Sequence, residues 1–173
     1  MKSETAEKHK HESSNDITCG IITLSDTRKL EKLDLSGKII SDEIKLKYNL
    51  KMKDLIPDEK DKLIESIENM ASENVDVIIT TGGTGLGSRD ITVETVESLF
   101  EKKIEGFGEI FRLKSFEEIG SAALLSRATA GIYKKTIIFS MPGSPNAVKT
   151  GLSLIIDELP HFVHHIKWTW KVI

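Results

Sequence analysis

Val75-Asp76-Val77-Ile78-Ile79-Thr80-Thr81-Gly82-Gly83-Thr84-Gly85, continued by Leu86-Gly87-Ser88-Arg89-Asp90, decides how this chain folds. The short β-branched apolar run predicts a strand buried on both faces, as in a parallel sheet. It ends in a loop with four glycines among the six residues 82–87, where the missing side chains free the backbone to reach φ > 0. Such a loop turns N–H groups toward whatever sits at the mouth of the sheet, which suits a phosphate. Thr92, with Glu94 and Glu97, then opens a helix whose positive end adds to the attraction for an anion. Arg89 and Asp90 set a cation and a carboxylate beside the glycines. A plain turn between strand and helix does not need that combination.

Neither of the two common phosphate loops fits. Gly82 and Gly87 have the outer spacing of a Walker A loop, but Ser88-Arg89 stands where Lys-Ser/Thr is required. Gly83, Gly85 and Ser88 imitate the dinucleotide fingerprint with serine for the third glycine, and no strand ending in an acid follows about twenty residues on. On spacing alone, a structural turn and a phosphate cradle both remain open.

At 173 residues and 39% hydrophobic, the chain has material for one domain with a sizeable core. A net charge of -3 leaves no cationic excess to neutralise a nucleic-acid backbone. The single cysteine, Cys19, excludes a disulfide framework and a cysteine-based zinc site. Its place in an apolar strand makes it a small buried hydrophobe. No apolar run is long enough to cross a bilayer and no signal-peptide core is present, so the expected compartment is the cytoplasm.

Residues 1–16 carry mixed charge and almost nothing apolar, as expected of a disordered leader. From Ile17 strand and helix patterns alternate. Strands are expected at 19–24, 51–56, 75–80, 129–133 and 136–140. Helices are expected at 38–48, from Pro57-Asp58-Glu59 through Ala71, at 92–100, over 106–118 and 122–126, and at 146–159. This order predicts a single-domain, three-layer, doubly wound α/β fold over 17–160, with a mostly parallel sheet and helices on both faces. A tail over 161–173 would follow, its Trp168 and Trp170 docking on the core or on a neighbouring subunit. His161, His164 and His165 share helical spacing, but no His-Glu-x-x-His acid accompanies them, which argues against zinc.

In such a fold ligands bind beyond the carboxyl ends of the strands. That rule gathers Ser25-Asp26, Pro57-Asp58, the glycine loop and Pro142-Gly143-Ser144 at one rim. Asp58 and Asp90 precede helices there, where a carboxylate repels a bare phosphate, so they suggest a bridging Mg²⁺. Helix capping is the competing reading for both. Ser126-Arg127 precedes a strand, where the arginine suits either an anion clamp or an exposed ion pair.

These residues also carry a family resemblance. Thr80-Thr81-Gly82-Gly83-Thr84-Gly85 with Arg89-Asp90-Ile91-Thr92, then Gly106-Phe107-Gly108-Glu109, Ser126-Arg127 and Met141-Pro142-Gly143-Ser144-Pro145 resemble the MoaB/MogA family of molybdenum cofactor biosynthesis, whose domain also occurs as the gephyrin G domain. The resemblance covers about 17–159, and Phe116-Glu117-Glu118-Ile119-Gly120 is similar to the MoaB branch.

The resemblance implies a molybdopterin adenylyltransferase that joins AMP from Mg-ATP to the terminal phosphate of molybdopterin and releases pyrophosphate. The family's two required aspartates match Asp58 and Asp90, which would also hold Mg²⁺ through ATP. Substrate contacts would come from Ser25, Asp26, Thr81, Gly82, Gly83, Thr84, Gly85, Arg89, Ser126, Arg127, Pro142, Gly143 and Ser144. Some MoaB proteins have lost the arginine-aspartate pair, which this chain keeps. The implied partners are a downstream metal-insertion protein and further copies of the chain in a trimer or hexamer, with Phe107, Phe111 and the tail tryptophans as contact surfaces; no nucleic acid and no membrane are expected. A non-catalytic molybdopterin carrier is the alternative. A competence-damage-like hydrolase of nucleotide pyrophosphates is disfavoured because those proteins usually carry an extra domain.

Overall fold

The computed structural model describes residues 16–26 and 34–169, with side chains through 167. Its strands are β1 (Thr18–Leu24), β2 (Asn49–Ile56), β3 (Val77–Thr81), β4 (Lys102–Lys103), β5 (Thr129–Tyr133) and β6 (Thr136–Met141). Its helices are α1 (Leu35–Lys47), α2 (Lys60–Ser72), α3 (Thr92–Leu99), α4 (Glu105–Ile119), α5 (Pro145–Ile155) and α6 (Leu159–Thr169), with a 3-10 turn over Gly120–Leu125. The leader through residue 15, with His9 and His11, and Trp170 lie outside the described residues.

The strands form one sheet in the order β2-β1-β3-β6-β5-β4. Pairs β2-β1, β1-β3 and β3-β6 are parallel, whereas β5 and β4 join antiparallel. All five residues of β3 are buried, as expected of a central strand covered on both faces. Ile40, Ile44, Phe107, Phe111, Val148, Leu152, Val163 and Ile166 fill one face, from α1, α4, α5 and α6. Leu63, Ile67, Met70 and Val96 fill the other, from α2 and α3. The chain leaves β1 for β2 on one side and returns to β3 on the other, so a crevice opens beyond β1 and β3.

Register levels the strand ends there. Leu24 pairs with Ile56, Thr23 with Thr81, and Thr81 with Met141, so four loops start at one height.

Three expectations change. The final helix, expected unbroken over 146–159, stops at Ile155 and restarts at Leu159. Pro160 has no N–H to donate to the Ile156 carbonyl; the Tyr48 hydroxyl donates to it instead, at 2.7 Å. Residues 161–169, expected as tail, continue α6, which buries Leu159, Val163 and Ile166 and pairs Lys167 with Asp76 at 2.8 Å. Phe107 and Phe111 are not surface contacts. They are buried and pack against each other, and the Phe107 ring lies 5.1 Å from that of Phe139, while Ile110 and Phe116 face outward.

Candidate active site

Four loops at the levelled strand ends enclose a cavity of about 530 Å³. The glycine loop forms its floor by close backbone approach. Gly82 has φ +99° and Gly83 φ +63°, and a Cβ on Gly82 would lie 2.3 Å from the Leu24 carbonyl oxygen. Gly82 N donates to the Met141 carbonyl at 3.2 Å, and the Thr81 hydroxyl donates to the Pro142 carbonyl at 3.2 Å, so the glycine loop and the Pro142-Gly143-Ser144 loop are stitched together. Thr92 ties down the other side. Its hydroxyl donates to the Gly82 carbonyl at 2.8 Å and its N–H to Gly83 at 2.9 Å.

Neither candidate aspartate caps its helix; Glu59 and Ile91 occupy the N-cap positions of α2 and α3 without side-chain capping bonds. Both carboxylates approach the glycine loop instead. Asp58 Oδ1 would be 2.8 Å from a Cβ on Gly83, and Asp90 Oδ2 would be 2.6 Å from one on Gly85. Asp90 Oδ2 accepts from Gly87 N at 2.8 Å, closing the turn over 87–90. Asp58 Oδ2 accepts from Asp26 N at 3.0 Å, and Asp26 Oδ1 accepts from Asp58 N at 3.1 Å, a reciprocal pair joining the ends of β1 and β2. The other oxygen, Asp58 Oδ1, is buried with no hydrogen-bond partner.

The electrostatics follow from that geometry. Burial pushes the Asp58 carboxyl above the usual aspartate value, and the Asp26 and Asp90 charges add to the rise. Asp26 is pulled down, first by the bond from Asp58 N and then by Arg89. Arg89 reaches across the rim to Asp26 Oδ2, Nε at 2.9 Å and Nη2 at 2.5 Å, strapping the glycine loop to the end of β1.

The remaining candidates divide. Ser25, Thr84, Ser126, Gly143 and Ser144 line the cavity. Ser126 Oγ is buried without a partner, and the Ser144 hydroxyl caps α5 by accepting from Ala147 N at 3.2 Å. Arg127, expected as an anion clamp or an exposed ion pair, is engaged within the protein. Its guanidinium pairs with Glu94 and with loop carbonyls, and it lines a smaller neighbouring cavity of about 340 Å³. Among the described residues no group of three or more His, Cys, Asp or Glu side chains is arranged to hold a metal ion, and His161 and His165 pack edge to face at 4.6 Å on α6.

Sequence reasoning missed two parts of the site. One is an apolar wall in which Phe111, Ile119, Ala122 and Leu125 from α4 and the 3-10 turn face Ala147 of α5. The other is a buried brace under the second loop. Asp34 caps α1 by accepting from Gly37 N at 2.8 Å and takes the Thr23 hydroxyl at 2.8 Å, while the Ser36 hydroxyl donates to the Gly143 carbonyl at 2.8 Å. Asp-x-Ser-Gly before an apolar periodic stretch is an N-cap signal, and it starts the helix three residues before the expected Lys38.

The chain is similar in sequence and in fold to known proteins. A family described as "probable molybdopterin binding domain" matches residues 20–161. Molybdopterin adenylyltransferase of Pyrococcus furiosus is 43% identical over 167 residues, covering 93% of this chain and 98% of that protein. Molybdenum cofactor biosynthesis protein B of Bacillus subtilis is also 43% identical over 167 residues, covering 94% and 98%. The crystal structure of the tungsten cofactor synthesizing protein MoaB from Pyrococcus furiosus superposes with a TM-score of 0.84 at 41% identity, covering 89% of this chain and 99% of that one. By sequence and by fold over most of its length, the chain belongs to the MoaB/MogA family of molybdopterin-binding domains.

Proposed function

We propose that this chain is a molybdopterin adenylyltransferase. An oxygen of molybdopterin's terminal phosphate attacks the α-phosphorus of ATP, the new P–O bond forms, and the bond to the β-phosphate breaks with release of pyrophosphate. The observation that carries the reading is the pair Asp58 and Asp90, uncommitted to capping and set against one glycine loop, with Asp58 Oδ1 buried and unpartnered. The name of the Pyrococcus furiosus relative at 43% identity, molybdopterin adenylyltransferase, supports it.

The attacking phosphate is already an anion at neutral pH, so the chain needs no strong general base and acts by alignment. An orphaned carboxylate oxygen beside a second carboxylate is a hard-oxygen donor set suited to Mg²⁺. With only two such groups, the remaining ligands would come from the triphosphate and water. When bound, the ion neutralises charge on the departing pyrophosphate. The glycine loop and the Pro142-Gly143-Ser144 loop would hold the phosphates, and apolar groups of α4 and the 3-10 turn line the same cavity. The adenylated product would pass to a metal-insertion protein. Incubation of the purified protein with molybdopterin, ATP and Mg²⁺ is expected to yield adenylated pterin and pyrophosphate in equal amounts. Tight molybdopterin binding without product under any divalent ion would make the protein a carrier.

The family resemblance further suggests a homotrimer or hexamer. Supporting it, Ile110, Leu113, Phe116, Ile119, Leu124 and Leu125 are more than half exposed along α4 and the turn after it, too many large apolar groups in one place for a settled monomer surface. Light scattering after size exclusion is expected to give three or six times 19.3 kDa; a monomer at micromolar concentration would remove this proposal.

A further inference from the structure

A loop that presents N–H groups to an anion must turn carbonyls the other way, and those carbonyls need donors of their own. One side chain supplies them here. Arg127 Nε donates to the Thr84 carbonyl at 3.1 Å, and Nη2 donates to Gly85 at 2.6 Å and to Asp90 at 3.4 Å. The bonds grip both ends of the 85–90 turn, so one planar fork sets the spacing between the glycine segment and Asp90. Arg127 is absent from the lining of the main cavity, which its neighbour Ser126 reaches. Its charge is balanced by Glu94, whose carboxyl the guanidinium holds below the usual range. A side chain spent on three backbone carbonyls and a carboxylate has little left to offer a substrate.

We infer that Arg127 is a positioning residue that braces the glycine loop from behind, holding Asp90 in place without touching substrate. The inference rests on the adenylyltransferase reading only for its kinetic consequence; the brace itself is a property of the free protein.

Amide hydrogen exchange on the substrate-free protein reads the brace directly. Arg127→Ala is expected to speed exchange over 84–90 by about tenfold or more while β1, β3 and α5 keep their protection. Arg127→Lys keeps a charge for Glu94 but cannot span three carbonyls, so it should loosen the same segment and covers the case in which the alanine variant folds poorly. In turnover, both variants should lower kcat about tenfold or more with KM for ATP changed less than about threefold, and methylguanidinium should partly restore Arg127→Ala. Unchanged loop exchange together with a large rise in KM would overturn the inference and make Arg127 a substrate contact. Uniform loss of protection in both variants would also overturn it, as a general structural role. If the wild-type protein makes no adenylated product, the function reading fails while the exchange result still decides the brace.

Discussion

Asp58→Asn is expected to lower adenylyl transfer by roughly 100- to 1000-fold, the usual range for removing one electrostatic element from a reaction site, while leaving the metal-free fold at least as stable. The two halves of this expectation share one cause. Asp58 Oδ1 is buried without a donor, so its charge is maintained at a cost in the empty protein. An asparagine keeps one acceptor for Asp26 N, the bond that Oδ2 now accepts at 3.0 Å, and replaces the lone charge with a neutral amide. A change between neutral and about 1 kcal/mol more stable follows, the pattern of a residue kept for function against stability.

The pH dependence should separate the two effects. Because burial raises the folded Asp58 carboxyl, the folded state binds more protons than the unfolded one between the ordinary aspartate value of 3.8 and the raised one. In the metal-free protein that contribution makes stability fall as pH rises through this window, and Asp58→Asn should flatten the slope. Activity runs the other way. It needs the ionised carboxylate, so kcat/KM should fall as pH drops through the raised value. Asp90→Asn should also lose turnover far more than pterin affinity, since asparagine can still accept from Gly87 N and leave the turn closed. A Tm drop of several degrees in Asp58→Asn, or turnover within threefold of wild type, would show that the carboxylate only joins β1 to β2.

How much of the molecule is readable from its sequence depends on the range of the interaction involved. The buried run ending in Thr80-Thr81 announces β3 locally, and strand alternation implies the rim where Ser25, Asp58, the glycine loop and Gly143 meet. What sequence does not supply is the direction in which polar side chains spend their bonds. Arg127 at the end of a helical turn looks the same whether it faces an anion or three carbonyls 37 to 43 positions away in sequence. The brace from Ser36 to Gly143 spans 107 positions, and only the fold brings them together. The apolar wall is hidden for a related reason. Phe111 is buried and Ile119 exposed, yet both line the cavity from the same helix, and periodicity separates buried from exposed positions without marking which of them border a cavity. The break before Pro160 is different: a proline next to an expected helix end is a local stop signal, so the chain carries the information for it.

Gly82→Ala should be the most damaging change of a single methyl group in the chain. Gly82 stands at φ +99°, where an L side chain costs about 1–2 kcal/mol, and its new Cβ would meet a backbone carbonyl rather than a movable side-chain tip. That carbonyl, of Leu24, would be only 2.3 Å away. Relief would require β1 and the glycine loop to part, an overpacking cost of about 1–3 kcal/mol. Together these predict a loss of about 2–5 kcal/mol and, for a chain of this size, a Tm lower by about 5–15 °C. Gly106→Ala is the matched control. Gly106 lies in α4 with nothing within 4 Å of the place its methyl group would take, so alanine there should be neutral or stabilise by about 0.5–1 kcal/mol through the unfolded chain. Thermal and urea unfolding of both variants would check the contrast, and equal midpoints would refute the close approach. The loss should also extend to function, because Gly82 is where the glycine loop and the Pro142-Gly143-Ser144 loop touch. A Cβ on Gly143 would lie 3.1 Å from its Cα, so moving Gly82 off Leu24 presses it into the second loop and narrows the cavity that Asp58 and Asp90 share.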